Sequence, residues 1–227
     1  MTVLHLADDT EAADLAAFLA RLLHYDRSAA VRLQAAGTAL AVFGRPASFE
    51  VLAVRAVRLA KPYENGLDVT LDVTVSAGEL LESVDESAAT ARVPAAVTGP
   101  PWAGVLPPRG GWRAEPGLPP ADSLRATVAE AVAEFRSRIE ELAADQRTRG
   151  ELDRIGREIW SRTVGRTRLP VRAVHAAQSL GFLSSSAASP AGDFTLYSSA
   201  AWLRLRTPYG SIAVRQAGLG TLGVSVR

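Results

Sequence analysis

Residues 201–215 have the sequence AWLRLRTPYGSIAVR, and this stretch decides the fold of the second half of the chain. Apolar and polar side chains alternate on both sides of Pro208-Tyr209-Gly210, which predicts two antiparallel strands joined by a tight turn. Successive side chains of a strand point to opposite faces of its sheet. We therefore expect one face to be buried, with Leu203, Leu205, Ile212 and Val214. The exposed face would carry Trp202, Arg204, Arg206 and Arg215.

Three helices are predicted between residue 121 and this hairpin. The first has Asp122 or Ser123 as its N-cap and a long apolar stripe. Gly150 separates it from the second helix, and the third begins at Leu169-Pro170 and ends before Gly181. Three helices followed by a hairpin is the element order of a winged helix. Residues 121–227 are therefore predicted to form a helical, winged-helix-like domain that ends in a β-hairpin.

The apolar stripe of the first of these helices has a regular spacing. Its residues step by four, three, four and three along the chain: Val128, Val132, Phe135, Ile139 and Leu142. This spacing is typical of a face packed in a helical bundle or a coiled coil. Fewer than three heptads are present, which favours an ordinary core-facing stripe. A seam between two copies of the chain, forming a homodimer, is the alternative.

Residues 93–120 are predicted to be a connector between two domains. Eight of the 13 prolines and five of the 18 glycines lie between residues 94 and 120, and neither a helix nor a central strand continues through such a segment. Trp102 and Trp112 also lie in it. A solvated linker rarely contains two tryptophans, so we expect the connector to pack on the surface of a domain. A peptide-binding surface is the alternative.

Residues 1–92 are predicted to form an acidic α+β domain with a mainly antiparallel sheet and one or two helices. A short strand at 3–6 precedes an amphipathic helix at about 11–24, and the Asn65-Gly66 pair favours a hairpin turn. Beyond that turn, apolar residues from Leu67 to Val75 alternate with polar residues that include Asp68 and Asp72. This alternation indicates a strand with one buried face and one acidic, hydrated face. The fold class of the whole chain is therefore α+β.

Charge is distributed unevenly between the two parts of the chain. Residues 1–145 contain 13 Lys and Arg against 20 Asp and Glu, a net charge of −7. Residues 146–227 contain 12 Arg against 4 Asp and Glu, a net charge of +8, so the two parts sum to the formal net charge of +1. A strongly basic segment points to a polyanionic partner and to no particular reaction.

The leading hypothesis from the sequence is a non-enzymatic binding or regulatory protein whose basic half contacts DNA, RNA or another polyanion. Arginines at the start of the third helix and on the hairpin would bind phosphates, and a tryptophan would stack or wedge. These residues are Arg166, Arg168, Arg172, Trp202, Arg204, Arg206 and Arg215. The first alternative is a structural protein whose acidic and basic halves dock within or between protomers. The second is an enzyme whose site assembles only in three dimensions.

Several other kinds of site are disfavoured. The chain has no cysteine, which excludes disulfides, thiolate metal sites and a cysteine nucleophile. His5, His24 and His175 do not have the spacing of a zinc site. Residues Gly218 to Gly223 match the dinucleotide-binding glycine pattern, but only four residues follow and none can form the required helix. We therefore expect neither a metal nor a cofactor.

The remaining expectations concern location and partners. Acidic residues follow the first strand, where a signal peptide would be cationic and then apolar. No apolar run approaches the roughly 18 residues of a membrane span. We therefore expect a cytoplasmic protein that does not bind a membrane. The hydrated face around Asp68 and Asp72 would be the surface for a basic protein partner.

Overall fold

The computed structural model describes residues 2–60, 71–184 and 194–216. The helices in this part of the chain are α1 (Asp9–Tyr25), α2 (Ala77–Glu82), α3 (Ala121–Glu140), α4 (Arg149–Trp160) and α5 (Val171–Ser179). The first seven strands are β1 (Val3–His5), β2 (Ala30–Ala36), β3 (Ala39–Gly44), β4 (Leu52–Arg58), β5 (Asp72–Ser76), β6 (Val84–Asp85) and β7 (Thr90–Arg92). The others are β8 (Arg113–Glu115), β9 (Thr195–Ser199), β10 (Trp202–Thr207) and β11 (Gly210–Arg215). Short 3-10 helices span Pro101–Gly104 and Ala144–Gln146.

The main structural feature is an eight-stranded antiparallel sheet with the order β5-β2-β3-β4-β11-β10-β9-β8. A small sheet, β1-β7-β6, lies beside it. Strand β4 pairs directly with β11, and Ile212 lies opposite Ala53. The α+β class is therefore confirmed. The hairpin β10–β11 lies in the middle of the sheet, because both of its edges are paired.

The inner face of the large sheet forms the core with the helices. Leu33 of β2, Val42 of β3, Leu205 of β10 and Ile212 of β11 are almost completely buried on this face. Helix α1 contacts β4, helix α5 contacts β11, and α3 and α4 pack on α5. A sheet with one apolar face must bury that face against another layer. The helices supply this layer in both halves of the sheet, and most of the buried apolar residues form one hydrophobic cluster.

Helix α1 shows how the sequence produces these elements. The Asp8 side chain is the N-cap and accepts a hydrogen bond of 2.9 Å from the Glu11 backbone N–H. Such a cap satisfies one of the free N–H groups of the first turn. The apolar stripe of this helix is buried and consists of Leu15, Phe18, Leu19 and Leu22. The helix predicted at about 11–24 is therefore present and is slightly longer at both ends.

The winged-helix interpretation is not supported by this arrangement. A recognition helix needs an exposed face, whereas Val171, Ala173, Val174, Ala176 and Ala177 of α5 are all buried. The predicted wing, β10–β11, is held between β9 and β4. The order of the elements alone could not distinguish a winged helix from a hairpin inserted into a larger sheet. The start and end signals of α5 in the sequence are the same in both cases.

Two predicted helix boundaries are also wrong. The N-cap of helix α3 is Pro120, two residues before Asp122, and no side chain caps the helix. The Asp122 side chain instead forms an ion pair with Arg125 in the first turn. Helix α4 begins at Arg149 with Thr148 as its cap, so Gly150 lies inside the first turn. The break between α3 and α4 falls earlier, at residues 141–148.

The apolar stripe of α3 packs within the chain. Val128 is buried, and Val132, Phe135 and Leu142 pack against the hydrophobic cluster. The ring of Phe135 lies 5.9 Å from that of Trp160 in α4. Ile139 is half-buried. Helices α4 and α5 both contact α3 within the chain, and a seam between two copies stays a prediction.

Some sequence predictions lie outside the described residues. They are the Asn65-Gly66 turn, the first part of the strand that ends at Val75 and the glycine pattern from Gly218 to Gly223. Within the described ranges, no helix has the length and apolar character needed to cross a membrane. In the same ranges, no group of three or more His, Asp or Glu side chains is arranged to hold a metal ion.

Candidate functional site

The candidate site lies on the outer face of the large sheet, the face opposite α1 and α5. Along β10, Leu203 and Leu205 point into the core, while Trp202, Arg204 and Arg206 point outward. Arg215 of β11 lies opposite Trp202 and shares this face. The alternation in residues 201–215 therefore brings together four of the seven residues predicted from the sequence.

The connector crosses this outer face from one edge of the sheet to the other. At the β5 edge, the Val97 backbone N–H donates a hydrogen bond of 2.9 Å to the Thr74 carbonyl oxygen. The Arg32 guanidinium donates to the Ala103 carbonyl oxygen further along. The path ends at β8, which pairs with β9 as the last strand of the sheet. The connector thus places Trp102 and Trp112 beside the hairpin.

Two clefts open on the outer face beside the connector. The first has a volume of about 340 Å³, and its walls include Arg45, Glu50, Pro101, Trp102, Trp202 and Arg215. The second has a volume of about 410 Å³, and its walls include Trp112, Tyr197, Arg204, Arg206, Tyr209 and Ser211. Both clefts combine aromatic rings with guanidinium groups. Among the described residues that line the second cleft, there is no carboxylate and no histidine.

Arg204 is the most unusual residue of the second cleft. Its guanidinium carbon lies 5.8 Å from the centre of the Trp112 ring, and its Nε is buried without a hydrogen-bond partner. Burial lowers the pKa of Arg204, and the neighbouring positive charge of Arg206 lowers this pKa further. A partly buried cation loses hydration and needs a compensating anion. No carboxylate of the described residues forms a salt bridge with it.

The other three predicted residues lie away from the outer face. Arg166 and Arg168 are in the loop between α4 and α5, and Arg172 is on α5. Arg168 is engaged within the chain: Nη2 lies 3.3 Å from Glu115, and Nη1 donates to the Gln216 side chain at 3.1 Å. Arg166 is exposed, and Arg172 is half-buried. The structure therefore does not join these residues and the hairpin into one surface.

Several acidic residues elsewhere already have arginine partners. In the first half of the chain, Asp14 lies 2.6 Å from Arg55, and Glu11 lies 2.7 Å from Arg58. Asp72, predicted to face a basic partner, instead forms a salt bridge of 2.7 Å with Arg32, which lowers the pKa of its carboxyl group. These three acids are thus neutralised locally. Glu50, in contrast, lines the first cleft beside Arg45 and Arg215, whereas no carboxylate of the described residues lines the second cleft.

A second set of ion pairs joins α3 to α4. Arg138 of α3 lies 2.8 Å from Glu158 of α4, and Arg162 just after α4 forms a second pair with Glu134 of α3. The hydrogen bond from Arg138 is the main cause that lowers the pKa of Glu158 to about 2, and Arg162 contributes further. These pairs connect the acidic part of the chain to the basic part. They lie in the helical layer, on the opposite side of the sheet from Arg204.

Several residues of the clefts were not predicted as site residues. Trp102 and Trp112 come from the connector, Tyr197 comes from β9, and Arg45 follows β3. The tryptophans were visible as unusual residues in a Pro/Gly-rich segment. Their position over β10 depends on the path of the connector and on the pairing of β8 with β9, and neither leaves a local sequence signal.

Comparison with known proteins gives two matches to family models. Residues 1–104 match a family described as Domain of unknown function (DUF8010), and residues 107–219 match one described as Domain of unknown function (DUF8185). No curated protein and no solved structure matches the chain. The two segments fit a two-domain layout and meet inside the connector. Each contributes four adjacent strands to the large sheet, and the two sets meet at β4 and β11.

Proposed function

We propose that this protein binds nucleic acid on the outer face of its large sheet and has no catalytic activity. Arg204 carries the proposal, because it is a half-buried guanidinium that contacts Trp112, adjoins Arg206 and has no carboxylate partner among the described residues. Guanidinium groups suit phosphate oxygens, with which they form paired, charge-assisted hydrogen bonds. A bound phosphate would supply the anion that the described part of the chain does not place there.

The composition of the surface supports nucleic acid over a small inorganic anion. Three arginines, Arg204, Arg206 and Arg215, share the face with Trp202, and the two clefts add further aromatic rings. Proteins that bind single strands without sequence preference combine such cationic grooves with aromatic stacking surfaces. Binding through the sheet also agrees with the burial of most of α5, because only a narrow edge of that helix, which includes Arg172 and Gln178, reaches the surface.

The test is binding of the intact chain to fluorescently labelled oligonucleotides, measured by anisotropy over a series of salt concentrations. The variant combines Arg204→Ala, Arg206→Ala and Arg215→Ala. We expect weaker binding and a log–log salt dependence that is flatter by about three units, roughly one for each lost phosphate contact. Equal binding of parent and variant would rule out this surface.

A matched control separates the surface from the overall charge. Arg27, Arg136 and Arg157 are exposed and lie outside the outer face. Changing all three to Ala removes the same total charge. The control changes the long-range electrostatic field of the protein but removes no side chain of the proposed surface. We therefore expect it to keep most of the affinity and most of the salt dependence of the parent. An equal loss in both triple variants would show that net charge, and no defined surface, governs binding.

A second candidate function is a structural protein in which the acidic and basic parts dock. The ion pairs Arg138–Glu158 and Arg162–Glu134 favour it, because they join these parts within one chain. If the same ion pairs formed between two protomers, they would hold a dimer together. Such a dimer would dissociate at high salt, because salt screens the ion pairs. Light scattering at low and high salt distinguishes the two arrangements. Pairs within one chain predict a constant monomeric mass, and a mass that halves as salt rises would favour docking between protomers.

A further inference from the structure

We infer that the nucleic acid bound on the outer face is single-stranded, with one unpaired base stacked on Trp112 in the second cleft. This inference rests on the proposed function and specifies the form of its ligand. The observation that carries it is the placement of a restrained tryptophan ring beside a recessed arginine. A surface that held phosphates alone would need the arginine and not the ring.

Trp112 is held in position by its own segment. Its indole Nε1–H donates a hydrogen bond of 2.9 Å to the Pro108 carbonyl oxygen four residues earlier. The ring is half-buried and lines the cleft together with Tyr197. A ring restrained in this way loses little conformational freedom when a ligand stacks on it. Trp112 therefore forms a prepared stacking surface beside the site for a phosphate.

The faces of bases are accessible only when the bases are unpaired and unstacked. In a duplex each base is covered above and below by its neighbours, so a protein meets only phosphates, sugars and base edges. Aromatic side chains therefore contribute most to single strands, whose bases can turn outward and stack on them. Arg204 is also recessed between aromatic residues, where the outer surface of a duplex reaches it less easily than a flexible strand.

The geometry of β10 suits a short extended segment. Alternate side chains on one face of a strand are about 7 Å apart, so Trp202 at the first cleft and Arg206 at the second are separated by about 13 Å. Arg204 lies between them. A strand of a few nucleotides can therefore follow β10 from one cleft to the other, with its phosphates toward the arginines and its bases toward the aromatic rings.

The experiment compares three labelled ligands with the intact protein. They are a 12-residue oligothymidylate, a 12-residue abasic strand with the same phosphates, and a 12-base-pair dA·dT duplex. The variants are Trp112→Ala and Trp112→Phe, and circular dichroism melting shows whether each is folded. We expect the oligothymidylate to bind about tenfold more tightly than the abasic strand, because an aromatic stack commonly contributes about this factor or more.

The variants connect this difference to Trp112. We expect Trp112→Ala to weaken oligothymidylate binding about tenfold more than it weakens abasic binding, while Trp112→Phe keeps most of the affinity. Equal affinity for the abasic strand, tighter binding of the duplex, or equal effects of Trp112→Ala on all ligands would each overturn the single-strand inference and leave the proposed function standing. If no ligand binds at low salt, the proposed function itself fails.

Discussion

At the scale of single residues, His175 connects three parts of the molecule. Its ring on α5 stacks on Trp160 of α4 with centres 4.7 Å apart and meets the edge of Phe49, near the start of β4, at 5.1 Å. Phe49 in turn contacts Tyr25 at the end of α1. Burial lowers the pKa of His175, because the charged imidazolium would lose its hydration in this aromatic environment.

Stability should therefore fall in mild acid. A histidine in the unfolded chain has a pKa near 6.5. Since its pKa in the folded state is lower, the unfolded state binds the proton more readily, and the stabilisation present above pH 6.5 is lost as the pH falls below that value. Urea unfolding at pH 7.5 and pH 5 measures this loss. We expect His175→Phe to lose less stability over the same interval than the parent, with the exposed His24→Gln as the control. An equal loss in parent and His175→Phe would show that His175 is not the source.

At the scale of elements, sequence periodicity predicts the strands better than the roles of the helices. Alternation in residues 201–215 correctly assigns Leu203 and Leu205 to the core and Arg204 to the opposite face, because each strand follows a period of two whatever its neighbours. The position of β10–β11 between β9 and β4 is decided by pairing with distant segments. The predicted role of α5 is wrong for the same reason, since packing against β11, α3 and α4 depends on segments that are distant in sequence.

The same distinction between local and long-range signals applies to the residues of the candidate site. Trp202, Arg204, Arg206 and Arg215 belong to one hairpin, and local alternation suffices to place them together. Trp112 and Tyr197 reach the same cleft from other elements, through contacts that are remote in sequence. The ion pair between Arg168 and Glu115 is likewise a contact between residues that are distant in sequence. The sequence thus predicts the part of the site that one element supplies, and the structure is needed for the rest.

At the scale of the whole molecule, the two segments matched by family models share one sheet and one core. Strand β4 of the first segment pairs with β11 of the second. The Arg55 side chain, which is buried, donates a hydrogen bond of 2.6 Å to the Tyr209 carbonyl oxygen across this boundary. Phe18 of α1 also stacks on Phe182, which follows α5, with ring centres 5.7 Å apart. Separation would expose two strand edges and the apolar surface behind them.

Neither segment should therefore fold well by itself. Fragments 1–104 and 105–227 are each expected to unfold without cooperativity or to aggregate, because an exposed, apolar strand edge pairs with other chains. A second experiment cuts the chain after it has folded. A protease site is inserted between Gly110 and Gly111, which are exposed loop residues, and the intact protein is then cleaved.

The cut leaves the β4–β11 pairing and the Arg55 contact in place, so the two pieces should elute together as one particle and separate only in denaturant. Size-exclusion chromatography with light scattering measures this. Two pieces that separate in native buffer, with a cooperative thermal transition in each, would show instead that the shared sheet contributes little and that the two segments are independent domains.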